Sequence, residues 1–245
     1  MDTNSTGVAP ALEPFQLERS FGDPGGLIEE SRSGRGQLFR DHWRADHSAT
    51  IDQAKLLVYR LFLAPNGVQS VLFAGMTAQS GCTSVVFNVA EMLAASTPKS
   101  VCMVDANAYS PYLNNLYDLA NTKGLSDALI EGRSVTEYVK RLDHSNLSIL
   151  PFGSRPTIET EKRGRCFWIR ETVTTLTRQF DYVIVDAPSA SEYSDAIALG
   201  SCVGGLALVM RAGKTKREIA RRVTTAMREA NVAVLGVVLT TRDWK

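Results

Sequence analysis

The chain has 245 residues, 44% of them hydrophobic and 22% charged, with a formal net charge of +1 at pH 7. That balance suits a globular protein with one sizeable core, and the small net charge gives no global argument for a nucleic-acid partner. No apolar run approaches the ~20 residues that span a bilayer, and MDTNSTGVAPALEPF lacks the basic start and apolar stretch of a secretion signal, so a cytoplasmic protein is expected. Cys82, Cys102, Cys166 and Cys202 form no C-x-x-C pair and read as free thiols.

Residues 1–48 are rich in Gly, Ser, Asp, Glu and Arg, with FGDPGG and SRSGRG as turn signals, and are expected to be disordered or loosely attached. His42 and His47 in this segment fall on different faces of a helix, which favours a solvated or partner-contacting stretch over a metal site. Residues 49–245 read as one folded domain. IDQAKLLVYRLFLA has the apolar density of a helix, VQSVLFAG is a buried-strand run, and TSVVFNVAEMLAAS is a helix with Val86, Val89, Ala90 and Leu93 at helical spacing. KSVCMVDAN is a second strand, GLSDALIEG and SVTEYVKRL are short helices, and NLSILPFG is a third strand. A helix over 165–179 precedes the strands DYVIVDAP and GGLALVMRAG; the amphipathic helix KREIARRVTTAMREA and the strand VAVLGVVLT follow. Six apolar strands alternating with helices predict an α/β fold of the P-loop NTPase kind, with a mostly parallel central sheet and helices on both faces. Ligands of such sheets bind beyond the carboxyl ends of the strands, where the loop after strand one, Asp105 and Asp186 converge.

The loop MTAQSGCTS, residues 76–84, stands where nucleotide-binding proteins carry G-x-x-x-x-G-K-[ST]. Backbone N–H groups and the helix dipole favour phosphate oxygens there, so Ser80, Gly81, Cys82, Thr83 and Ser84 are candidate nucleotide contacts. Thr83, Asp105 and Asp186 are candidate magnesium ligands, and Asp105 could also orient an attacking group. Cys82 occupies the lysine position, and no other lysine lies in residues 69–98. A charge-assisted hydrogen bond contributes about 1.5–3 kcal/mol, so this loss alone weakens nucleotide binding by about ten- to a hundredfold. A thiol at a helix N-terminus can become nucleophilic, but the preferred reading of Cys82 is a small residue filling the lysine's space. The basic run Arg211, Lys214, Lys216, Arg217, Arg221 and Arg222 is read as a solvated helix face in preference to a nucleic-acid or lipid surface.

In order and at matching spacing, VCMVDAN with Pro111, GLSDALIEG, FDYVIVDAP, SDAIAL, VMRAGKTKREIARR and VLGVVL resemble the bacterial tyrosine kinases of capsule and exopolysaccharide systems (the CpsD/CapB type). Those kinases belong to the wider MinD/ParA group of phosphate-loop ATPases, and the resemblance covers about residues 50–241. The departures fall on the chemistry. The family's G-E-G-K-S-T is Gln79-Ser80-Gly81-Cys82-Thr83-Ser84, and the second aspartate of V-D-x-D is Asn107, which cannot accept a proton as a carboxylate does. NAYSP lacks the family arginine, Thr240 replaces an asparagine expected near adenine, and TTRDWK carries no tyrosine cluster. The ring-forming E-x-x-R-x-x-R helix survives only as Asp52, Lys55 and Val58.

The resemblance implies ATP or ADP with Mg2+ as cofactors, and the departures predict that their binding is weak or absent. It also implies a cytoplasmic domain held at the inner membrane through a polysaccharide co-polymerase of the Wzz type, as a homo-oligomer or hetero-complex, with no nucleic acid. The expected function is a kinase-like, degenerate component of exopolysaccharide or capsule export, with Asp105 and Asn107 as the remnant catalytic pair. An active tyrosine autokinase with a rewired loop is the alternative. A MinD/ParA-like positioning ATPase is less favoured, because its additional early-loop lysine is missing.

Overall fold

The computed structural model describes residues 48–117, 119, 122–143, 145–154 and 165–241. The N-terminal segment with His42 and His47, and the last four residues, lie outside the described residues.

Helix α1 (Ser48–Val58) runs into a π-helical turn (Tyr59–Leu63), then β1 (Ser70–Gly75), α2 (Cys82–Ser96), β2 (Val101–Asp105), α3 (Leu113–Leu116) and α4 (Leu125–Glu131). A 3-10 turn (Val135–Tyr138), β3 (Lys140–Arg141), β4 (Leu147–Leu150), α5 (Arg165–Thr177), β5 (Tyr182–Ala187), α6 (Asp195–Gly200), β6 (Gly205–Arg211), α7 (Arg217–Glu229) and β7 (Val234–Thr240) complete the order. The sheet runs β3-β4-β2-β5-β1-β6-β7. Every pairing is parallel except β3 on β4.

Parallel strands covered on both faces must be apolar at every position, and β1, β2 and β5 are buried throughout. The two-residue side-chain period sends alternate residues to opposite layers. Val71, Phe73, Met103 and Ile184 pack with α1 and α2, whereas Leu72, Cys102, Val183 and Val185 pack with Leu176 of α5 and Met227 of α7. Val58 is 1% exposed and belongs to the first layer, while Asp52 and Lys55 form an exposed pair at 3.4 Å.

Two details differ from the sequence expectation. The sheet has seven strands, and residues 134–142 are not a regular helix: Ser134 caps a single 3-10 turn. Lys140 and Arg141 then pair with Ile149 and Ser148, because the unpaired edge of β4 offers backbone partners that a solvated helix end lacks.

The GLSD segment is a structural tie. Asp127 is fully buried, and its carboxylate accepts from the Gly124 and Ser154 N–H groups, both at 3.0 Å, and from Ser154 Oγ at 2.9 Å. This binds the start of α4 to the chain after β4. Gly153 lies at φ +105, and a Cβ there would sit 2.2 Å from Asp127 Oδ2, so glycine is required on both counts. Asp127→Ala strands three donors and should lower the unfolding free energy by about 3 kcal/mol, read as a reduced urea midpoint. An unchanged midpoint would contradict this role.

Candidate functional site

The crevice forms where β1, β2 and β5 end side by side. Gly75 closes β1, the chain turns through Gln79 (φ 57) and Gly81 (φ 81), and α2 begins at Cys82. Gly81 caps this helix without a side chain, so the first-turn N–H groups that have no intrahelical partner remain for an incoming acceptor. The loop is braced from β7: Thr240 Oγ1 donates to the Ser80 carbonyl at 2.7 Å. The residue that replaces the adenine-side asparagine therefore supports the loop. Ser80 and Ser84 are buried, whereas Cys82 is only partly so.

Asp105 and Asp186 are register partners on the adjacent strands β2 and β5, and both are fully buried or nearly so. Thr83 Oγ1 donates to Asp186 Oδ2 at 2.7 Å. Asp186 Oδ1 is buried with no hydrogen-bond partner. Asp105 is differently committed. Its Oδ1 accepts from the Asn107 N–H at 3.0 Å, and its Oδ2 accepts from the Tyr112 and Leu113 N–H groups at 3.1 and 3.2 Å. Asn107 in turn accepts from the Ser110 N–H at 3.2 Å, so the Asp105–Asn107 pair shapes the turn after β2.

Electrostatics follow from this enclosure. Burial, and then the charge of Asp105, push the Asp186 carboxyl up to about 7 against the opposing hydrogen bonds of Thr83 and Cys82. Burial likewise raises Asp105 to about 6, opposed by the N–H groups of Leu113, Asn107 and Tyr112. Among the described residues, no lysine or arginine is among the groups that set either carboxyl. The Cys82 thiol is raised well above its ordinary value, chiefly by burial and then by the Asp186 charge. Burial and the neighbouring carboxylate both disfavour the thiolate, which argues against an activated nucleophile.

The arrangement fits a divalent cation in part. Asp186 Oδ1 is an unpartnered oxygen ligand and the Thr83 hydroxyl, which donates to Asp186 Oδ2, keeps lone pairs for a cation, but no group of three or more His, Cys, Asp or Glu able to hold a metal exists among the described residues. Mg2+ would therefore depend on phosphate oxygens for most of its shell, as it commonly does. Backbone donors for those phosphates are present, and residues 69–98 contribute no lysine beside them. Sequence reasoning overlooked Glu192 and the Tyr109–Tyr193 pair, which reach this crevice from the β2–α3 and β5–α6 loops without any motif to announce them.

Residues 68–220 match the family described as cellulose biosynthesis protein BcsQ. The chain belongs to this family. Within curated proteins, this BcsQ-family chain is 27% identical over 172 residues to tyrosine-protein kinase YwqD of Bacillus subtilis (strain 168), covering 70% of this chain and 72% of YwqD. It is 26% identical over 202 residues to succinoglycan biosynthesis transport protein ExoP of Rhizobium meliloti (strain 1021), covering 82% of this chain but only 25% of ExoP. Among solved structures it resembles the chimerical protein CapA2B2, with a TM-score of 0.75 at 18% identity over 95% of this chain and 96% of that one. It also resembles the septum site-determining protein MinD of Pyrococcus horikoshii OT3 complexed with Mg-ADP, at a TM-score of 0.60 and 19% identity over 70% and 69%. These likenesses establish the fold, and the curated relatives bear out the resemblance to bacterial tyrosine kinases. No described helix of this BcsQ-family chain is long and apolar enough to cross a membrane.

Proposed function

We propose that this chain is a kinase-like, catalytically degenerate component of an exopolysaccharide or capsule biosynthesis and export system. It acts from the cytoplasm as partner of an inner-membrane polysaccharide co-polymerase, as a homo-oligomer or hetero-complex. One observation carries the reading: Cys82 stands at the lysine position against a buried Asp105–Asp186 pair that no described cation compensates. Phosphoryl transfer relies on electrostatic stabilisation of the transferring group, and a neutral thiol beside two carboxyls supplies none. The names of YwqD and ExoP support the setting, the Mg-ADP held by MinD supports a nucleotide site in the crevice, and Cys82 at the lysine position is the ground for weak or absent binding.

A second reading, an active autokinase with a rewired loop, is favoured by the intact Thr83–Asp186 hydrogen bond at 2.7 Å. The two separate in a co-purification experiment with the cytoplasmic segment of the membrane partner. Scaffolding predicts that the complex survives removal of ATP and the Cys82→Ala substitution. Dissociation on removing nucleotide would count against it.

A further inference from the structure

The loop between β5 and α6 crosses the mouth of the crevice, and each end of it is fastened to a different neighbour. Because β5 lies between β1 and β2 in the sheet, its outgoing loop can touch the loops that leave both. On the β1 side, the Ala190 N–H donates to the Gly75 carbonyl at 2.8 Å, and the Ala78 N–H donates to Glu192 Oε1 at 3.3 Å. On the β2 side, the Tyr193 ring stacks on Tyr109 with centroids 3.5 Å apart and an interplanar angle of 13°, and the Tyr109 hydroxyl donates to Asp195 Oδ2 at 3.3 Å. Within the loop, the Tyr193 N–H returns to the Ser189 carbonyl at 3.0 Å, which turns Glu192 toward β1 and Tyr193 toward β2.

Ala78 lies in the same loop, two residues before the backbone donors at 80–84 that suit phosphate oxygens. A carboxylate held on this amide is chemically akin to a phosphate oxygen and fastens the loop beside the place a phosphate would enter. The carboxylate also repels an incoming polyphosphate, and with Cys82 at the lysine position the phosphate loop carries no side-chain cation to offset that repulsion. We propose that residues 188–195 form an autoinhibitory strap, in which Glu192 occupies the Ala78 amide of the phosphate loop and must be displaced before a nucleotide di- or triphosphate can bind. The inference rests on the phosphate-loop reading of the crevice and extends it to a device that regulates access. The Tyr109–Tyr193 stack is the hinge side of the strap and positions Glu192.

The experiment uses the full chain as wild type, Glu192→Gln and Glu192→Ala. Amide hydrogen exchange over residues 76–81 is read first without nucleotide, and Mg-ADP is then titrated in the Cys82→Lys background with and without Glu192→Ala. Loss of the carboxylate should speed exchange in the loop by about threefold or more, with Glu192→Gln in between. It should also tighten Mg-ADP by about three- to tenfold, as expected for an exposed charge-assisted contact, and the gain should shrink as salt rises. Unchanged exchange in Glu192→Ala overturns the strap. Exchange that rises while bound Mg-ADP is no tighter overturns the competition with phosphate. If no variant binds Mg-ADP, the nucleotide reading of the crevice fails by itself, and the exchange result still decides whether Glu192 pins the loop.

Discussion

Unfolding free energy is expected to fall by about 3 kcal/mol or more as pH rises from about 4 to about 8, and to level off above that. The cause is the buried carboxyl pair at the ends of β2 and β5. An aspartate in the unfolded chain ionises near 3.9, whereas Asp105 and Asp186 are held at about 6 and about 7. Below about pH 4 both states keep their protons and burial costs nothing electrostatic. Between there and about pH 8 the unfolded state releases protons that the native state retains, so stability declines with each step in pH. Moving one carboxyl from 3.8 to about 6 corresponds to about 3 kcal/mol. The pair titrates as a unit, so this figure counts only the smaller shift, is a lower bound for the two protons together, and belongs to the pair and not to either residue. Asp186→Asn keeps the hydrogen-bond acceptor for Thr83 and removes the mutual repulsion. Urea unfolding of both proteins from pH 4 to 8 should therefore show a much shallower slope in the variant, and identical slopes would contradict the assignment.

Cys82→Lys should raise affinity for Mg-ADP by about ten- to a hundredfold. The lysine position is the first of α2, beside the first-turn donors and close to Asp186. An ammonium there supplies the missing charge-assisted contact to phosphate. It also acts as counter-ion to the two carboxyls, which then ionise at ordinary pH and become better magnesium ligands. The same substitution should therefore flatten the pH slope described above, which links two independent measurements to one residue. Calorimetric titration of Mg-ADP reads the first effect. Equal affinities in wild type and variant would mean that Cys82 is not what limits binding.

The strand ends were legible because apolar runs such as VCMVD and YVIVDA stop abruptly at a polar residue, and parallel topology then sends those ends to one edge. The loop at 76–84 was legible from its remaining Gly81 and Thr83. What those residues touch was not. That Asp105 gives both oxygens to the turn at Asn107, Tyr112 and Leu113 depends on how the chain folds back after β2. Thr240 meets Ser80 across 160 residues only because β6 sits between β1 and β7 in the sheet order. Glu192 is one exposed acid among many in the sequence, and its contact with Ala78 exists only because β5 lies beside β1. Residues 134–142 mislead for a related reason: SVTEYVKRL has helical density, but the open edge of β4 decides its last residues. Cys82 could be argued from its helix-terminal position toward reactivity or from its size toward inertness, and burial with the Asp186 charge beside it favours the neutral thiol.

On the proposed function, the fold keeps its crevice but lacks the charge that drives phosphoryl transfer. The most direct test is incubation of the purified wild-type chain with ATP and Mg2+, alone and with the cytoplasmic segment of the proposed membrane partner, followed by detection of phosphotyrosine. The account predicts none after prolonged incubation. Magnesium-dependent phosphotyrosine that disappears in Asp186→Ala would contradict it and would establish an active kinase with a rewired loop.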